Sequence, residues 1–220
     1  MKLVLASGSQ RRRELLTMCG YDYEIIVSNA DETIDENDPE SFVRALSFRK
    51  AKEVFDRLFA AGRRDFAVIG SDTVVAFQKE GGTKPVIIGK PKDAKDAVRI
   101  LSMLSGKTHR VFTGVSVIAD ISDENAAAQC SIRKKEEIQT ECSITEVTFE
   151  TLSPDEITDY VNSGDPLDKA GSYGIQGPFG MFVREIRGNY FTVIGMPIPV
   201  LYKMLKKIGI LPHGFYERIE

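Results

Sequence analysis

Three consecutive arginines, Arg11 to Arg13, follow a Ser-Gly-Ser turn and stand at the start of an expected helix. The short apolar segment before the turn predicts a strand, and Ser9 is a suitable N-cap for the helix. A strand–turn–helix unit presents free backbone N–H groups and the positive end of a helix dipole, which favour an anion. Arginines there repel the dipole, and a bound polyphosphate would offset that cost. A solvated surface turn is the alternative, because Gly/Ser turns before helices are common.

Helical geometry separates the three arginines. At about 100° per residue, Arg11 and Arg12 flank the apolar stripe of the helix, whereas Arg13 points away from it. We therefore expect Arg11 and Arg12 to contact the anion, together with Ser7 and Ser9 through the backbone of their turn. The turn has neither a Walker A sequence nor a G-x-G-x-x-G sequence, so the motif is not that of a P-loop or a dinucleotide-binding fold.

Asp72 lies in the middle of an apolar run, Phe66–Phe77, that predicts a buried strand. A carboxylate in a protein core costs several kcal/mol unless it is paired or bound to a metal. One interpretation is structural: Asp72 accepts backbone N–H groups where one strand breaks into another after Gly70-Ser71. The other is functional, since α/β enzymes place catalytic acids at the interruption of a strand. We favour the functional interpretation.

Two further charged features accompany Asp72. Residues Asn29–Asp38 contain five carboxylates; such a run is usually a solvated loop, and the alternative is that one or two of them hold a metal. The helix that begins at Asp38-Pro39 and stops at Gly62 carries Lys50 near the centre of its apolar stripe. A lysine there either extends along its own stem to the surface or points into an anionic pocket, and its mid-helix position favours the pocket.

Two loops supply weaker signals. Lys90 is the lysine of a Gly-Lys-Pro sequence, and the proline excludes a Walker A ending. Lys90 can therefore act only as a positive charge on a loop. A surface turn is the default interpretation. Asp168–Gly177 contains three glycines spaced by three. These glycines either allow the backbone to approach a ligand closely or simply shape a long loop.

The remaining elements follow from capping and alternation. Helices are predicted from Asp93 to Leu104, from the capping box at Ser153-Pro154 to Gly164, and from Pro197 to Gly209. Strands are predicted at Tyr23–Ser28, Arg110–Asp120 and Cys142–Leu152, with a last hairpin formed by Phe182–Ile186 and Tyr190–Gly195. Between the long strands, the polar segment Ile121–Glu141 predicts a hairpin extension or a mobile loop.

Composition limits the class of protein. With 220 residues, 42% of them hydrophobic, the chain suffices for one sizeable α/β domain or two small lobes. A net charge of −3 argues against a general nucleic-acid binder, and no apolar run approaches the length of a membrane span. The first residues lack a signal-peptide pattern, so a cytoplasmic protein is expected. Three cysteines without C-x-x-C spacing and two histidines predict neither a disulfide framework nor a zinc site.

Together these motifs resemble the Maf family of nucleoside triphosphate pyrophosphatases, relatives of the inosine triphosphate pyrophosphatases. The resemblance covers roughly Leu3 to Ile208. The segments that carry it occur in the family's order: Leu5–Arg12, Asp31-Glu32, Arg49–Ala51, Ser71–Val75, Gly89–Asp93, Ser105-Gly106 with His109, and Asp168–Gly177. Arg11-Arg12 with Tyr173–Gly177 is similar to the branch acting on dTTP and UTP, and not to the branch associated with 7-methylguanosine triphosphate.

The resemblance implies an α/β fold in which helices flank an elongated, two-lobed mixed β-sheet with a central cleft. It implies one domain over residues 1–220, with residues 121–141 as a hairpin insert longer than is typical, and often a homodimer. The implied activity is hydrolysis between the α- and β-phosphates of a nucleoside triphosphate, which gives a monophosphate and pyrophosphate and requires a divalent cation. Gln10 stands where the family often has proline, a harmless change at a first helical position.

The resemblance also implies roles for single residues. Asp72 aligns with the proton acceptor. The positions that align with essential polar residues of the family are Ser7, Arg12, Glu32, Lys50 and Lys90. Those that align with residues tied to base preference are Arg11, Thr73 and Gln176. A hard cation, Mg²⁺ or Mn²⁺, suits oxygen ligands from Glu32 and the phosphates, with Asp72 either a second ligand or the group that orients the water.

We therefore expect a pyrimidine-preferring nucleotide pyrophosphatase that removes unwanted triphosphates from the nucleotide pool. The nearest alternative is a purine enzyme acting on inosine or xanthosine triphosphate. An alternative from another class is a nucleotide-binding regulator linked to cell division. A nucleic-acid-binding module that uses the arginine cluster is disfavoured by the acidic balance of the chain.

Overall fold

The computed structural model describes residues 1–78, 81–82, 84–121 and 136–214. Seven strands within these ranges form one mixed sheet: β1 (Lys2–Leu5), β2 (Glu24–Ile25), β3 (Phe66–Phe77), β4 (Val86–Ile88), β5 (Thr108–Asp120), β6 (Glu136–Phe149) and β7 (Val183–Arg187). The α-helices of the same ranges are α1 (Gln10–Met18), α2 (Pro39–Ala60), α3 (Ala94–Leu104), α4 (Pro154–Asn162), α5 (Tyr190–Ile194) and α6 (Ile198–Lys207). A mixed sheet flanked by helices confirms the expected fold class.

The sheet is organised around β3. The strand order is β2-β1-β3-β5-β6-β7, and β4 pairs with a further part of β3. The β1–β2 and β1–β3 pairs are parallel, whereas the β3–β4, β3–β5, β5–β6 and β6–β7 pairs are antiparallel. β3 and β5 stay paired from Ala67↔Ala119 to Ala76↔Arg110. These two long strands therefore connect the helices at one end of the sheet with those at the other.

Alternation along β3 decides which helix packs on which face. Ile69 lies in one apolar cluster with Leu16 of α1 and Leu201 of α6. Its neighbour Val68 lies in another cluster, with Phe55 of α2. Successive strand residues point to opposite faces of a sheet. Helices α1 and α2 are therefore held on opposite sides of the same strand.

Helix α2 lies directly on the backbone of the sheet. A Cβ atom added to Gly70 of β3 would be 2.2 Å from the carbonyl oxygen of Ser47, and one added to Gly114 of β5 would be 2.1 Å from that of Val43. Only glycine leaves room for such an approach. The contact brings the helix face that carries Lys50 over the middle of β3.

The helix starts predicted from capping are confirmed. The side chain of Asp38 accepts the N–H of Ser41 at the start of α2, and that of Asp93 accepts the N–H of Asp96 at the start of α3. Ser153 opens α4 with a complete capping box. At α1 the expectation was only half right: Ser9 is the N-cap residue, but its side chain makes no capping hydrogen bond.

The predicted last hairpin is wrong in its second half. Val183–Arg187 is a strand that pairs with β6, but Tyr190–Ile194 is the short helix α5. Asn189 caps this helix by accepting the N–H of Thr192, and Gly195 ends it in the left-handed region at φ +112°. The aromatic and β-branched residues of this segment favour a strand by propensity. Capping and packing against the sheet override that preference.

Other strand bounds also differ. The second strand spans only Glu24–Ile25 of the predicted Tyr23–Ser28. β3 spans Phe66–Phe77 as predicted, but it runs without interruption through Asp72, so the break considered after Gly70-Ser71 does not occur. β6 begins at Glu136, which pairs with Asp120 of β5. Residues 136–141 of the proposed insert therefore belong to a strand. Residues 122–135 of that insert lie outside the described part of the chain.

A buried histidine near the start of β5 lies among aromatic side chains. His109 is only 2% exposed, and its ring meets Phe149 and Tyr173 edge-on at centroid distances of 4.7 Å and 5.4 Å. Its Nε2 atom lies 3.0 Å from the Tyr173 hydroxyl. Burial disfavours the charged imidazolium and lowers the pKa of His109 to about 3. The ring is therefore neutral at physiological pH, as part of the core.

The close approach of α2 makes Gly114 a sensitive position. We expect Gly114→Ala to lower the unfolding free energy by about 1–3 kcal/mol, because the added methyl group must push the helix away from the sheet. Urea unfolding followed by circular dichroism measures this change. Gly89→Ala is the matched control, since a Cβ there meets nothing within 4 Å. Equal stability of the two variants would contradict the described packing.

Burial of His109 makes stability depend on pH in a defined direction. Its pKa in the folded state is depressed, so the unfolded chain binds the proton first and the stabilisation present above about pH 6.5 is lost as the pH falls towards 3. Between about pH 6.5 and pH 5 this group should remove about 2 kcal/mol of unfolding free energy. Urea unfolding at the two pH values should show a smaller loss for His109→Phe than for the wild type. An equal loss in the two proteins would contradict a buried, neutral His109.

Candidate active site

A gap in the pairing of β3 creates the site. One edge of β3 is paired with β5 along almost its whole length, but the other edge is shared by two short strands. Pairing with β1 ends at Ile69, and pairing with β4 begins at Val75. Residues 70–74, which include Asp72, therefore form a stretch between the two short strands. Ligands in open α/β sheets bind at such a crevice beyond the ends of strands.

The chain leaves both short strands with candidate residues. After β1 it enters the Ser7–Ser9 turn and then α1, which carries Arg11 and Arg12. After β4, beyond the pair Val75↔Ile88, it enters the loop with Lys90. The topology thus brings both loops to the stretch of β3 around Asp72.

Arg12 is held by three neutral acceptors. Its Nε donates to the carbonyl of Gly195 at 2.9 Å, and its Nη1 donates to the hydroxyl of Ser7 at 3.1 Å. Its Nη2 lies 3.5 Å from the Thr73 hydroxyl. Burial lowers the pKa of Arg12, and the nearby charge of Asp72 opposes that shift. An arginine remains protonated in either case, so its charge is fixed in direction and available to an anion.

Lys50 bridges two carboxylates. Its ammonium nitrogen is 2.9 Å from Oδ1 of Asp72 and 3.0 Å from Oε1 of Glu32. The side chains of Lys50 and Asp72 are each 12% exposed, whereas that of Glu32 is 66% exposed. Lys50 thus points into a pocket with two carboxylates and does not extend to the surface, as expected from its mid-helix position, and its role in binding a phosphate stays a prediction.

Only one carboxylate of the acidic run reaches the pocket. Asp31 accepts the backbone N–H of Thr33, and Asp38 accepts that of Ser41; these hydrogen bonds lower the pKa of both carboxyl groups. Both therefore have local structural roles. Glu32 is the member of the run that meets Lys50.

The glycine-containing loop Asp168–Gly177 contacts both α1 and the loop that carries Lys90. Asp168 lies 3.8 Å from Arg11, and the N–H of Gly171 donates to the carbonyl of Gly89 at 3.0 Å. The second contact ties this loop to the residue before Lys90. Lys90 and Gln176 are exposed, and within the described residues no hydrogen bond or ion pair joins them to the other candidates. Their roles remain predictions.

Several residues of this region were not predicted. Tyr160 donates to Asp165 at 2.5 Å and accepts the N–H of Gly174 at 3.0 Å, while Lys169 pairs with Asp165 at 2.8 Å. These contacts hold the loop that carries Gln176 in place. Neither the Tyr160 hydroxyl nor the Gly195 carbonyl has a signal in the sequence, because one belongs to an amphipathic helix and the other to the backbone. Thr113, opposite Thr73, is a third such residue.

The geometry assembles charges that suit a phosphorylated ligand. The guanidinium of Arg12, which has only neutral hydrogen-bond partners, and the ammonium of Lys50, which pairs with two carboxylates, both contact side chains at the open stretch of β3 or beside it. Preorganised cations of this kind stabilise charge on phosphate oxygens, and a carboxylate beside them can orient water. Among the described residues no group of three His, Cys, Asp or Glu side chains is arranged to hold a metal. None of the described helices is long and apolar enough to cross a membrane.

Comparison with known proteins agrees with this picture. A protein of Agathobacter rectalis named dTTP/UTP pyrophosphatase is 40% identical over 217 residues, covering 95% of this chain and 98% of the relative. A protein of the same name from Bacillus thuringiensis subsp. konkukian is 42% identical over 210 residues, covering 95% and 96%. The solved structure of the Staphylococcus aureus Ham1 protein shares the fold, with a TM-score of 0.50, 14% identity and coverage of 94% of this chain and 100% of that one.

A family profile gives the assignment. The profile described as Maf-like protein matches residues 2–208, nearly the whole chain. The match includes the Ser7–Arg12 turn, Lys50, Asp72 and the loop up to Gly177, which are the segments that the structure gathers around the gap in β3. The chain belongs to the Maf family.

Proposed function

We propose that this protein is a nucleoside triphosphate pyrophosphatase that hydrolyses dTTP and UTP to the nucleoside monophosphate and pyrophosphate. The observation that carries the proposal is that neighbouring residues of the open stretch of β3 contact the two cations: Asp72 pairs with Lys50, Thr73 lies beside Arg12, and the charge of Asp72 acts on Arg12. The names of the relatives at 40% and 42% identity support the substrate assignment. A role in clearing unwanted nucleotides from the cellular pool follows from this reaction.

The cations bind and neutralise the triphosphate. Arg12 is directed by neutral acceptors alone, so a phosphate oxygen would be its first anionic partner by direct contact. Lys90, on the loop after β4, and Arg11, in the first turn of α1, add positive charge. The backbone of Ser7 and Ser9 supplies N–H groups near the start of α1. Positive charge around the leaving pyrophosphate stabilises the transition state of phosphoryl transfer.

Asp72 orients the attacking water and accepts its proton. Its Oδ1 is engaged by Lys50, while the described residues offer no hydrogen bond to Oδ2. The water oxygen attacks the α-phosphorus, the bond from that phosphorus to the α–β bridging oxygen breaks, and pyrophosphate leaves with the bond's electron pair. Lys50 holds the carboxylate in place throughout. Positioning of this kind supplies much of the rate, since phosphoryl transfer needs little covalent help from the protein.

We propose Mg²⁺ or Mn²⁺ as cofactor, with Glu32 and Asp72 as the protein ligands. The donor set fits: Glu32 and Asp72 both contact Lys50, so two carboxylates lie near each other and offer the oxygen donors that a hard cation prefers. Mg²⁺ commonly takes one or two carboxylates and completes its shell with phosphate oxygens and water. When bound, such a cation neutralises phosphate charge and lowers the barrier to hydrolysis. A homodimer is a further proposal that rests on the family resemblance, and a cytoplasmic location is proposed as well.

A panel of nucleotides tests the function. Purified protein is incubated with dTTP, UTP, CTP, ATP, GTP, ITP and XTP in Mg²⁺ or Mn²⁺, and pyrophosphate and phosphate are measured separately. We expect pyrophosphate release with the highest kcat/KM for dTTP and UTP. Stepwise release of phosphate would contradict the assigned bond. A preference for ITP or XTP would favour the purine enzyme, and tight binding without turnover would favour a regulator.

The variant Asp72→Asn tests the role of the carboxylate. The amide keeps the shape of the side chain but cannot accept the proton, so kcat should fall by about 10²–10⁴-fold. Steady-state kinetics measures the loss, and thermal unfolding checks that the variant is folded. Asp31→Asn is the matched control, because that carboxylate lies in the same region but only accepts a local backbone hydrogen bond. Full activity of Asp72→Asn would remove Asp72 from catalysis.

A further inference from the structure

Two threonines form a direct link across the centre of the sheet. Thr73 of β3 and Thr113 of β5 are register partners, and their hydroxyl oxygens lie 3.0 Å apart. Thr113 is completely buried, whereas Thr73 is partly exposed in the open stretch of β3 beside Asp72. The Thr113 hydroxyl also lies 2.7 Å from the carbonyl oxygen of Thr192 in α5.

The direction of these hydrogen bonds is determined. A carbonyl can only accept, so Thr113 donates its single hydroxyl proton to Thr192. This carbonyl needs that donor, because the N–H groups of the two residues after α5 both donate to Phe191 instead. Reversing Thr113 would leave a buried carbonyl without its donor, which is disfavoured. In the contact between the threonines, Thr73 is therefore the donor and Thr113 the acceptor.

As a consequence, the hydroxyl group of Thr73 can act only as a hydrogen-bond acceptor towards a ligand in the cleft. Because the proton of Thr73 points inward to Thr113, only its oxygen lone pairs remain for other partners. One of them faces Arg12, whose Nη2 lies 3.5 Å away. Phosphate oxygens are acceptors and cannot pair with a hydroxyl that has no free proton. Thr73 is thus mismatched to the triphosphate and matched to a group that carries an N–H or O–H.

We propose that Thr113 is a positioning residue that holds Thr73 as a hydrogen-bond acceptor for a donor group on the nucleoside half of the substrate. The proposal rests on the proposed function and deepens it. The donors that dTTP and UTP share are the N3–H of the base and the 3′-hydroxyl of the sugar. Cytosine has no hydrogen on N3, so a contact with the base would also separate UTP from CTP.

The test compares substrate analogues across matched variants. UTP, N3-methyl-UTP and 3′-deoxy-UTP are hydrolysed by the wild type and by Thr113→Val, Thr113→Ser and Thr148→Val, and the ratio of kcat/KM for UTP to that for each analogue is measured. Thr148 is the control because it belongs to another cross-strand threonine pair, with Thr108 at 2.8 Å, away from the gap in β3. Thermal unfolding checks the fold of each variant.

The wild type should reject one of the two analogues, which identifies the donor as N3–H or the 3′-hydroxyl. In Thr113→Val, Thr73 is free to rotate, so the selectivity against that analogue should fall by about three- to tenfold, the usual weight of one neutral hydrogen bond. Thr113→Ser keeps the hydroxyl and should restore the wild-type ratio, and Thr148→Val should not change it. A merely structural role of Thr113 would lower activity towards all three nucleotides alike.

Three results would overturn the inference. If the wild type hydrolyses both analogues as well as UTP, Thr73 accepts no hydrogen bond from the nucleoside, whatever the variants do. If Thr113→Val keeps the wild-type ratios, Thr113 does not set the polarity. If Thr113→Ser behaves like Thr113→Val, side-chain packing and not the hydroxyl is responsible. In each of these cases UTP is still hydrolysed and the proposed function stands, whereas absence of pyrophosphate release from every nucleotide would overturn both.

Discussion

The ion pair between Lys50 and Asp72 is the constraint on which the rest of this structure depends. A carboxylate in the middle of an apolar strand is costly unless a charged partner reaches it, and a partner left alone there is costly as well. The pair at 2.9 Å forms where α2 lies directly on the sheet, and glycine at positions 70 and 114 leaves room for that approach. The ion pair, the longest described helix and two glycines far apart in sequence thus belong to one helix–sheet contact.

The two main cations of the site are held in opposite ways. Lys50 is engaged by carboxylates, so its charge is balanced within the protein and serves mainly to hold Asp72 in place. Arg12 donates its hydrogen bonds to neutral oxygens of Ser7, Thr73 and Gly195, and the carboxylate of Asp72 acts on it through charge without a hydrogen bond. This division is what the proposed function uses: a carboxylate held for a water and a cation whose direct partners are all neutral. The gap between β1 and β4 is what lets both groups reach the same stretch of strand.

Comparison with relatives and neighbours separates fold from activity. The Ham1 structure, at 14% identity, shares the architecture and carries no information about the substrate of this chain. The pyrophosphatase relatives, at 40% identity and above, match almost the whole chain, including the segments that surround the gap. The charged groups at the gap then provide the physical basis for assigning a triphosphate as the ligand.

The sequence by itself determined the elements that depend on local rules. Capping residues located the starts of α2, α3 and α4, and the position of Lys50 on an apolar helix face already indicated an anionic pocket. The helix Tyr190–Ile194 was wrongly predicted as a strand because its strand propensity conflicts with its capping residues. Only packing against the sheet decides between the two. The tertiary structure alone decided that Glu32, and not its acidic neighbours, meets Lys50, and that a carbonyl 183 residues away orients Arg12. Periodicity and capping are encoded within a few residues, whereas contacts of backbone carbonyls and hydroxyl groups across the sheet exist only once the strands are paired.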